Sequence, residues 1–178
     1  MQYVSYYESP LGKILLASDD AGLSGLWFVE RQRYFALGLD EERVEKESRA
    51  IAEAKRWLDV YFSGKEPGFS VPLSISGSAF RQEVCRIMLG IPYGKTMTYG
   101  EIAGKIAAAH SIPKMSARAV GGAVGHNPIS IIIPCHRVVG ASGSLTGYGG
   151  GIERKIRLLT LDGVDLSAFS IPRKGTAL

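Results

Sequence analysis

Apolar residues in the first third of the chain fall into short runs separated by turn residues. Two such runs cover residues 13–18 and 23–29, and turns rich in Gly, Asp and Pro precede and separate them. Runs of this length bounded by turns predict strands, so we expect residues 1–29 to form a small sheet. Charged residues dominate from 30 to 48, which indicates a solvated loop or a fraying helix. Residues 49–62 then carry apolar side chains at helical spacing, which predicts an amphipathic helix.

The pattern changes to helical from residue 80 onward. An apolar stripe predicts a first helix over residues 80–88, and Thr98 and Glu101 form a capping box that begins a second. Ser116 can cap a third helix over residues 117–124, and residues 152–161 carry the stripe of a last one. We therefore expect an α/β scaffold domain, a small sheet plus a helix, over residues 1–76. A mainly helical domain follows over residues 77–178, with a tail from residue 165 that frays because it has few packing signals.

The second and third of these helices, joined by a short connection, indicate a helix-turn-helix. The third consists almost entirely of Ala and Gly, with Arg118 as its one long polar side chain. The successive glycines Gly121 and Gly122 destabilise a helix, so either the approach of another backbone or tight packing in the core must account for them. A helix that reads the major groove carries several polar side chains. The single Arg118 therefore favours a minor-groove or phosphate contact.

Composition places the chain among ordinary globular proteins. It has 178 residues, 46% of them hydrophobic and 21% charged, which suits one domain or two small ones. No apolar stretch is long enough to cross a bilayer, and the first residues do not form a secretory leader. The two cysteines cannot form a disulfide framework, and the three histidines lack metal-ligand spacing. We expect no metal, no membrane contact and a reducing compartment, the cytoplasm or, in a eukaryote, the nucleus.

Charge is distributed unevenly along the chain. Residues 1–79 carry nine Lys and Arg against twelve Asp and Glu, whereas residues 80–178 carry twelve against five. A basic half beside an acidic half indicates that the C-terminal part meets a polyanion, most simply nucleic acid. A basic surface that faces only solvent is the alternative, and charge alone does not exclude it.

The strongest chemical signal surrounds Cys135. The β-branched run of residues 131–133 predicts a buried strand that Pro134 ends, and Cys135, His136 and Arg137 follow. A thiol becomes nucleophilic as the thiolate, which a neighbouring base or cation favours. The alternative is an inert buried cysteine beside a packed histidine.

A glycine-rich loop around one tyrosine follows the cysteine motif, over residues 146–151. The loop lacks the Lys-Ser/Thr ending of a phosphate-binding loop, so Tyr148 is better interpreted as the wall of a pocket. We interpret the other cysteine, Cys85, as a core residue.

Four motifs in order resemble the O6-alkylguanine-DNA alkyltransferase (methylated-DNA–protein-cysteine methyltransferase) family. They are Arg118–Gly121, Asn127 with Pro128, Pro134–Val138 and Gly147–Gly151. The similarity is dense over residues 80–163 and weaker over residues 9–28. It implies an α/β N-terminal domain, a helical domain with a helix-turn-helix, and direct-reversal DNA repair without a cofactor. A monomer would bind double-stranded DNA carrying O6-alkylguanine through the minor groove and flip the base. The alkyl group would then pass irreversibly to the cysteine, once per molecule, and O4-alkylthymine is left open as a second substrate.

The resemblance also implies roles for individual residues. Cys135 is the acceptor, His136 holds its thiolate through a water, and Asp162 orients His136. Asn127 braces the turn beside the site. Tyr99 assists flipping of the base, and Arg118 fills the gap that the base leaves. The residues implied to form the substrate pocket are Tyr148, Val138, Gly149 and Gly150.

Three positions depart from the family pattern. The family usually has Glu where this chain has Asp162, so the shorter side chain is expected to reach His136 through a backbone shift or a further water. Cys85 stands where relatives often carry Trp, and residues 107–115 are longer than in many relatives.

Two alternative functions belong to other classes. A non-catalytic DNA-lesion binder of the alkyltransferase-like kind lacks the acceptor cysteine that is present here. A cysteine hydrolase or amidase would need an oxyanion-binding arrangement, which is not evident, and would not explain a basic helix-turn-helix.

Overall fold

The computed structural model of this chain describes residues 1–172, and its N-terminal part is built on a four-stranded sheet. The strands are β1 (Tyr3–Ser9), β2 (Gly12–Ser18), β3 (Leu23–Phe28) and β4 (Val44–Glu45), in the order β3-β2-β1-β4. β2 pairs antiparallel with both β1 and β3, and β4 lies parallel to β1. The prediction of strands within residues 1–29 is confirmed.

One helix, α1 (Arg49–Phe62), packs on this sheet. The Ser48 side chain caps it by accepting a hydrogen bond from the Ile51 backbone N–H, and the helix ends at Ser63. Its apolar stripe is buried, as the spacing predicted. Residues 30–48 form an extended loop with turns and the short β4, so the prediction of a loop is the correct alternative for that segment.

Four helices form the C-terminal part: α2 (Ala79–Leu89), α3 (Tyr99–Ala109), α4 (Ala117–Gly125) and α5 (Ile152–Leu161). All four were predicted, and the capping box of Thr98 and Glu101 is present at the start of α3. Two short strands, β5 (Met97–Thr98) and β6 (Val138–Val139), pair in parallel between the helices. No helix within residues 1–172 is both long and apolar enough to cross a membrane.

The sheet and the helices share one hydrophobic core. Its main cluster contains Leu26 and Leu58 from the N-terminal part together with Val84, Ile102 and Ile133 from the C-terminal part. Backbone hydrogen bonds also join the two parts, since the Leu26 N–H donates to the Pro128 carbonyl. Apolar burial therefore fixes the position of the N-terminal elements against the segment that precedes Cys135.

The predicted strand over residues 131–133 is wrong. These residues form a tight turn in which Ile131 has φ +70° and the Ile133 N–H donates to the Ile129 carbonyl. The side chains are buried as expected, because a β-branched apolar run signals burial more reliably than it signals a strand. A 3₁₀ helix over Cys135–Arg137 follows the turn directly.

The prediction that the chain frays from residue 165 onward is also wrong for residues 165–172, the part of this tail that the structure describes. The Ser170 N–H donates to the Gly143 carbonyl, and the Leu145 N–H donates to the Ser170 carbonyl at 2.8 Å. Leu166 and Phe169 pack against a small apolar cluster of Val139, Leu145 and Leu159. Residues 173–178, to which the same expectation applied, lie outside the described part of the chain.

The capping box gives a stability prediction. Thr98→Ala removes the acceptor for the Glu101 N–H, so the free energy of unfolding should fall by about 1 kcal/mol in urea titration. Thr160→Ala is the matched control, because the exposed Thr160 hydroxyl only donates to a carbonyl of its own helix. Its effect should stay within about 0.5 kcal/mol. Equal losses in the two variants would contradict the capping role.

Candidate active site

Cys135 begins the 3₁₀ helix that follows the buried turn, and only 6% of its surface is exposed. Asn127 holds this turn from inside. Its Nδ2 donates to the Ile133 carbonyl at 2.8 Å, and its Oδ1 accepts from the Ile129 N–H at 3.0 Å. The amide thus fixes the backbone on the N-terminal side of the thiol, in the position where the resemblance expects a brace.

Asp162 gathers three buried hydrogen-bond donors at the end of α5. Its Oδ2 accepts from His136 Nε2 at 3.0 Å and from Arg137 Nε at 2.6 Å, and its Oδ1 accepts from the Tyr61 hydroxyl at 2.7 Å. We call these four residues the Asp162 cluster. Of the two expected routes, the additional water is unnecessary, because the shorter carboxylate contacts His136 directly.

The Asp162 carboxyl is ionised inside the protein. Burial opposes ionisation, but the hydrogen bonds from His136 and Arg137 and the Arg137 charge outweigh it and lower the Asp162 pKa to about 2. Burial also lowers the pKa of His136, against the opposing effect of the Asp162 carboxylate. His136 is therefore neutral near pH 7, with its Nε2 proton directed to Asp162.

The second ring nitrogen of His136 completes the arrangement. Nδ1 is buried and has no hydrogen-bond partner among residues 1–172. In the tautomer that donates from Nε2, this nitrogen carries a lone pair and can accept a proton. Burial raises the pKa of the adjacent Cys135 thiol, although Asn127 and the charge of Lys155 act in the opposite direction. The thiol thus needs a base, and His136 Nδ1 is the neighbouring one.

Lys155 is a buried cation that the sequence reasoning missed. Its Nζ donates to the Val138 carbonyl at 2.5 Å and to the Thr146 carbonyl at 2.7 Å, which ties the segment after the cysteine to the glycine-rich loop. Burial lowers the Lys155 pKa to about 8, and the Cys135 charge opposes that shift. A signal existed in the sequence, since helical spacing places this lysine on the apolar face of α5.

A cavity of about 650 Å³ opens beside Tyr148. It lies between α4, the glycine-rich loop and the segment after β3. Of the four expected pocket residues, Tyr148 and Gly149 line it. Val138 does not, because it is fully buried in the core. Gly150 lies behind the tyrosine, where an added Cβ would be 2.7 Å from the Tyr148 ring.

Tyr148 connects this cavity to the Asp162 cluster. Its ring centroid is 6.5 Å from that of His136, and its hydroxyl has no hydrogen-bond partner within the described residues. Burial raises the Tyr148 pKa well above its usual value, and the neighbouring Cys135 adds to the shift. The phenol therefore keeps its proton and can donate a hydrogen bond to a group that enters from the cavity.

The residues expected to act on DNA lie at the rim of the cavity. Tyr99 is half-buried, and its hydroxyl donates to the Thr146 carbonyl at 3.2 Å. Gly147 has φ +71°, and a Cβ there would lie 2.7 Å from the Tyr99 oxygen, so this contact requires glycine. Arg118 is exposed, and within residues 1–172 it forms no ion pair.

The two adjacent glycines of α4 are not explained by close packing in the core. A Cβ on Gly122 would meet nothing within 4 Å, and one on Gly121 would touch only the Tyr99 ring at 3.8 Å. Both glycines line the cavity. Of the two explanations offered by the sequence, space for the approach of another molecule is the one that agrees with this geometry.

The segment after β3 also contributes to the rim, which the sequence reasoning missed. The Tyr34 ring stacks on His126 with centroids 4.0 Å apart, and the Arg33 N–H donates to the Gly149 carbonyl. The side chains of Arg31 and Arg33 are exposed beside the same cavity as Arg118. The sequence showed only a charged loop, because contacts with residues about a hundred positions away leave no local pattern. Together these arginines give the cavity a basic mouth.

No group of three or more His, Cys, Asp or Glu side chains in the described chain could hold a metal ion.

Comparisons with known proteins cover both parts of the chain. Residues 79–164 match the family model described as 6-O-methylguanine DNA methyltransferase, DNA binding domain. Residues 2–75 match the model described as 6-O-methylguanine DNA methyltransferase, ribonuclease-like domain.

Individual relatives agree over nearly their whole length. A methylated-DNA–protein-cysteine methyltransferase of Methanosarcina acetivorans is 45% identical, over 90% of this chain and 98% of the relative. The protein of that name from Mycobacterium tuberculosis is 46% identical, over 87% of this chain and 88% of the relative. The crystal structure of Mycobacterium tuberculosis OGT in complex with DNA is similar with a TM-score of 0.77 and 43% identity. That match covers 90% of this chain and 92% of the other.

The ionised Asp162 gives a prediction for the pH dependence of stability. Its folded-state pKa lies below the ordinary value of 3.8, so the carboxylate stabilises the fold above about pH 4. That contribution, about 2 kcal/mol, is lost as the pH falls through 4 towards 2. Asp162→Asn should remove this part of the acid sensitivity in denaturant titrations between pH 2 and 6. Asp40→Asn, at an exposed loop position, should keep it, and an unchanged profile in Asp162→Asn would contradict the assignment.

Proposed function

This chain belongs to the 6-O-methylguanine DNA methyltransferase family, and we propose that it repairs DNA by accepting the alkyl group of O6-alkylguanine on Cys135. The observation that carries this proposal is the buried Cys135 beside an Asp162–His136 pair with a free imidazole nitrogen, next to a cavity with a basic mouth. Relatives that match 90% and 87% of this chain carry the name of this activity.

The proposed transfer is a single displacement at carbon. His136 Nδ1 takes the thiol proton through a bridging water, and the Asp162 carboxylate stabilises the resulting imidazolium. The Cys135 sulfur then forms a bond to the alkyl carbon as the bond from that carbon to guanine O6 breaks. The electron pair of the broken bond stays on the guanine, which Tyr148 stabilises by donating a hydrogen bond. The Tyr148 hydroxyl passes a proton to the guanine anion, which restores the normal base, and Tyr148 regains a proton from the pool to which the Cys135 proton was released through His136.

The product explains a reaction that happens once per molecule. The alkyl group ends in a thioether on Cys135, and the site holds no group that would displace a thiolate from it. The protein is therefore consumed stoichiometrically. One molecule removes one lesion.

Access to the lesion requires that the base leave the helix. The O6 atom lies inside the base stack, and extrusion of a nucleotide costs a few kcal/mol. Helices α3 and α4 would act as the helix-turn-helix, with α4 against the minor groove, where its glycines allow close approach. Arg118 would fill the gap in the stack, and Tyr99 would contact the turned-out nucleotide. Arg31 and Arg33 add positive charge on the opposite side of the mouth, which favours a phosphate backbone there.

Because its proposed substrate is DNA, we propose that the protein acts in the cytoplasm of a prokaryotic cell or in the nucleus of a eukaryotic one. We propose that it acts as a monomer, since all the groups assigned above come from a single chain.

A lesion binder without catalysis is the competing function, and the presence of Cys135 argues against it. A hydrolase would turn over, whereas the thioether proposed here persists. These outcomes differ in the mass of the protein after exposure to alkylated DNA: one stable alkyl group, none, or hydrolysed substrate with unchanged protein.

The acceptor assignment predicts that only Cys135 takes the label. Wild-type protein incubated with duplex DNA that carries labelled O6-methylguanine should gain one methyl group, located by peptide mass spectrometry. Cys135→Ala should gain none. Cys85→Ala should react normally, because burial raises the Cys85 pKa to about 12 and keeps that thiol protonated. Label in folded Cys135→Ala would overturn the proposal.

The assignment of Arg118 predicts a difference between two substrates. Arg118→Ala should slow repair of duplex DNA at least about tenfold, because no side chain then fills the gap that the extruded nucleotide leaves in the base stack. Reaction with free O6-benzylguanine, which needs no extrusion, should change less than about twofold. Arg56→Ala removes the same charge from an exposed position of α1 and controls for net charge. Equal losses on both substrates would rule out a role in flipping.

A further inference from the structure

We propose that Tyr61, a residue of the N-terminal half, is a positioning residue for alkyl transfer, because its hydroxyl holds the Asp162 carboxylate in the orientation that presents His136 to Cys135. This inference rests on the proposed function and assigns a role within the same site. The sequence analysis predicted only a scaffold role for residues 1–76. The proposal gives this part of the chain, through Tyr61, a role in the reaction.

The three hydrogen-bond donors of the Asp162 cluster divide between the two oxygens of the Asp162 carboxylate. His136 and Arg137 both use Oδ2, at 3.0 and 2.6 Å, whereas Oδ1 accepts only from the Tyr61 hydroxyl, at 2.7 Å, among the described residues. A carboxylate held through one oxygen can rotate about its bond to Cβ. A donor on the second oxygen prevents that rotation, so Tyr61 fixes the plane in which Oδ2 faces the imidazole.

The shorter side chain makes this restraint more important. Asp has one methylene fewer than the Glu that the family usually carries, so its carboxylate lies closer to the backbone of α5. In this position the orientation of the carboxylate decides whether Oδ2 reaches both His136 and Arg137. The Tyr61 oxygen is also 3.4 Å from His136 Nε2, which leaves little room for the ring to tilt away from Asp162.

The Tyr61 ring is held by packing that does not depend on its hydroxyl. It is fully buried on α1, stacks on Trp57 with centroids 5.2 Å apart, and meets Phe62 and Tyr93 edge to face. A phenylalanine can occupy the same space. Tyr61→Phe therefore removes the hydrogen bond and leaves the position of the ring unchanged.

Electrostatics assigns Tyr61 the role of donor. Burial raises its pKa far above the usual value, with further contributions from the charge and the hydrogen bond of Asp162, so the phenol stays protonated. The other titratable or charged groups around the site are Arg137 and Cys135 from the 3₁₀ helix, Lys155 from α5, Tyr148 from the loop and Tyr93 before β5. Loss of the Tyr61 donor lets the carboxylate turn away from His136, which weakens its support of the imidazolium and lowers the pKa of that imidazole.

The test uses a substrate that needs neither DNA nor base flipping. Wild-type protein and Tyr61→Phe react with free O6-benzylguanine, and the benzylated fraction is followed by mass spectrometry from pH 5 to 9. Each molecule reacts once, so the final amplitude counts the folded, active protein, and the rate constant refers to that protein alone. Partial misfolding therefore lowers the amplitude without imitating the expected change.

We expect the rate constant of Tyr61→Phe to fall about tenfold, the scale on which partners that orient a histidine usually act. The acid limb of its pH–rate profile should move to lower pH, because a less basic His136 is protonated later on the way to low pH. Tyr7→Phe is the matched control: it removes the same atom from the same half of the chain, where the hydroxyl donates to the exposed Asp59. Its rate and profile should equal those of the wild type.

A double-mutant cycle then tests the route of the effect. If Tyr61 acts through Asp162, Tyr61→Phe should slow Asp162→Asn by much less than it slows the wild type. The proposal is overturned if Tyr61→Phe reacts at the wild-type rate, if it is slowed equally at every pH, or if the two effects multiply. Failure of the wild type itself to acquire a methyl group from duplex DNA carrying O6-methylguanine would instead refute the proposed function, so the two failures are distinguishable.

Discussion

A single buried carboxylate determines how the two halves of this protein meet at the candidate active site. Asp162 is ionised with 2% of its surface exposed, a state that costs several kcal/mol unless hydrogen bonds compensate for the lost water. Its donors come from α1 and from the 3₁₀ helix after Cys135, while Asp162 itself ends α5. These three elements must therefore pack together for the Asp162 charge to be compensated. Removal of any one donor leaves a buried charge less well compensated.

Polar side chains fix the backbone around the thiol in the same way. Asn127 supports the turn before Cys135, and Lys155 joins the segment after it to the glycine-rich loop. Both donate to backbone carbonyls, Asn127 to that of Ile133 and Lys155 to those of Val138 and Thr146. The result is a nucleophile on a short, irregular segment whose position is nonetheless fixed on both sides. His136 follows Cys135 in the chain, and Asp162 accepts a hydrogen bond from its imidazole and opposes the effect of burial on its pKa.

The surface around the site follows from different requirements. Arginine side chains from both halves of the chain surround the cavity, and the adjacent glycines of α4 leave its floor free of side chains. A basic rim with an accessible backbone suits a polyanion that must come close. Cys135 and His136 are buried, out of solvent. This arrangement agrees with a substrate group that enters the protein from a bound nucleic acid.

The sequence by itself determined the elements and pointed to the candidate acceptor, Cys135. Helix bounds at 49–62 and 152–161, the capping box of Thr98 and the motif around Cys135 all depend on neighbours within a few residues, and such patterns can be read along the chain. The tertiary structure decided what long-range contacts control. It turned residues 131–133 from an expected strand into a turn, because Asn127 and the shared core set their conformation. It also brought Tyr61 to Asp162 across 101 positions and Tyr34 to His126 across the cavity mouth, since hydrogen bonds and stacking act through space and leave no periodic trace in the sequence.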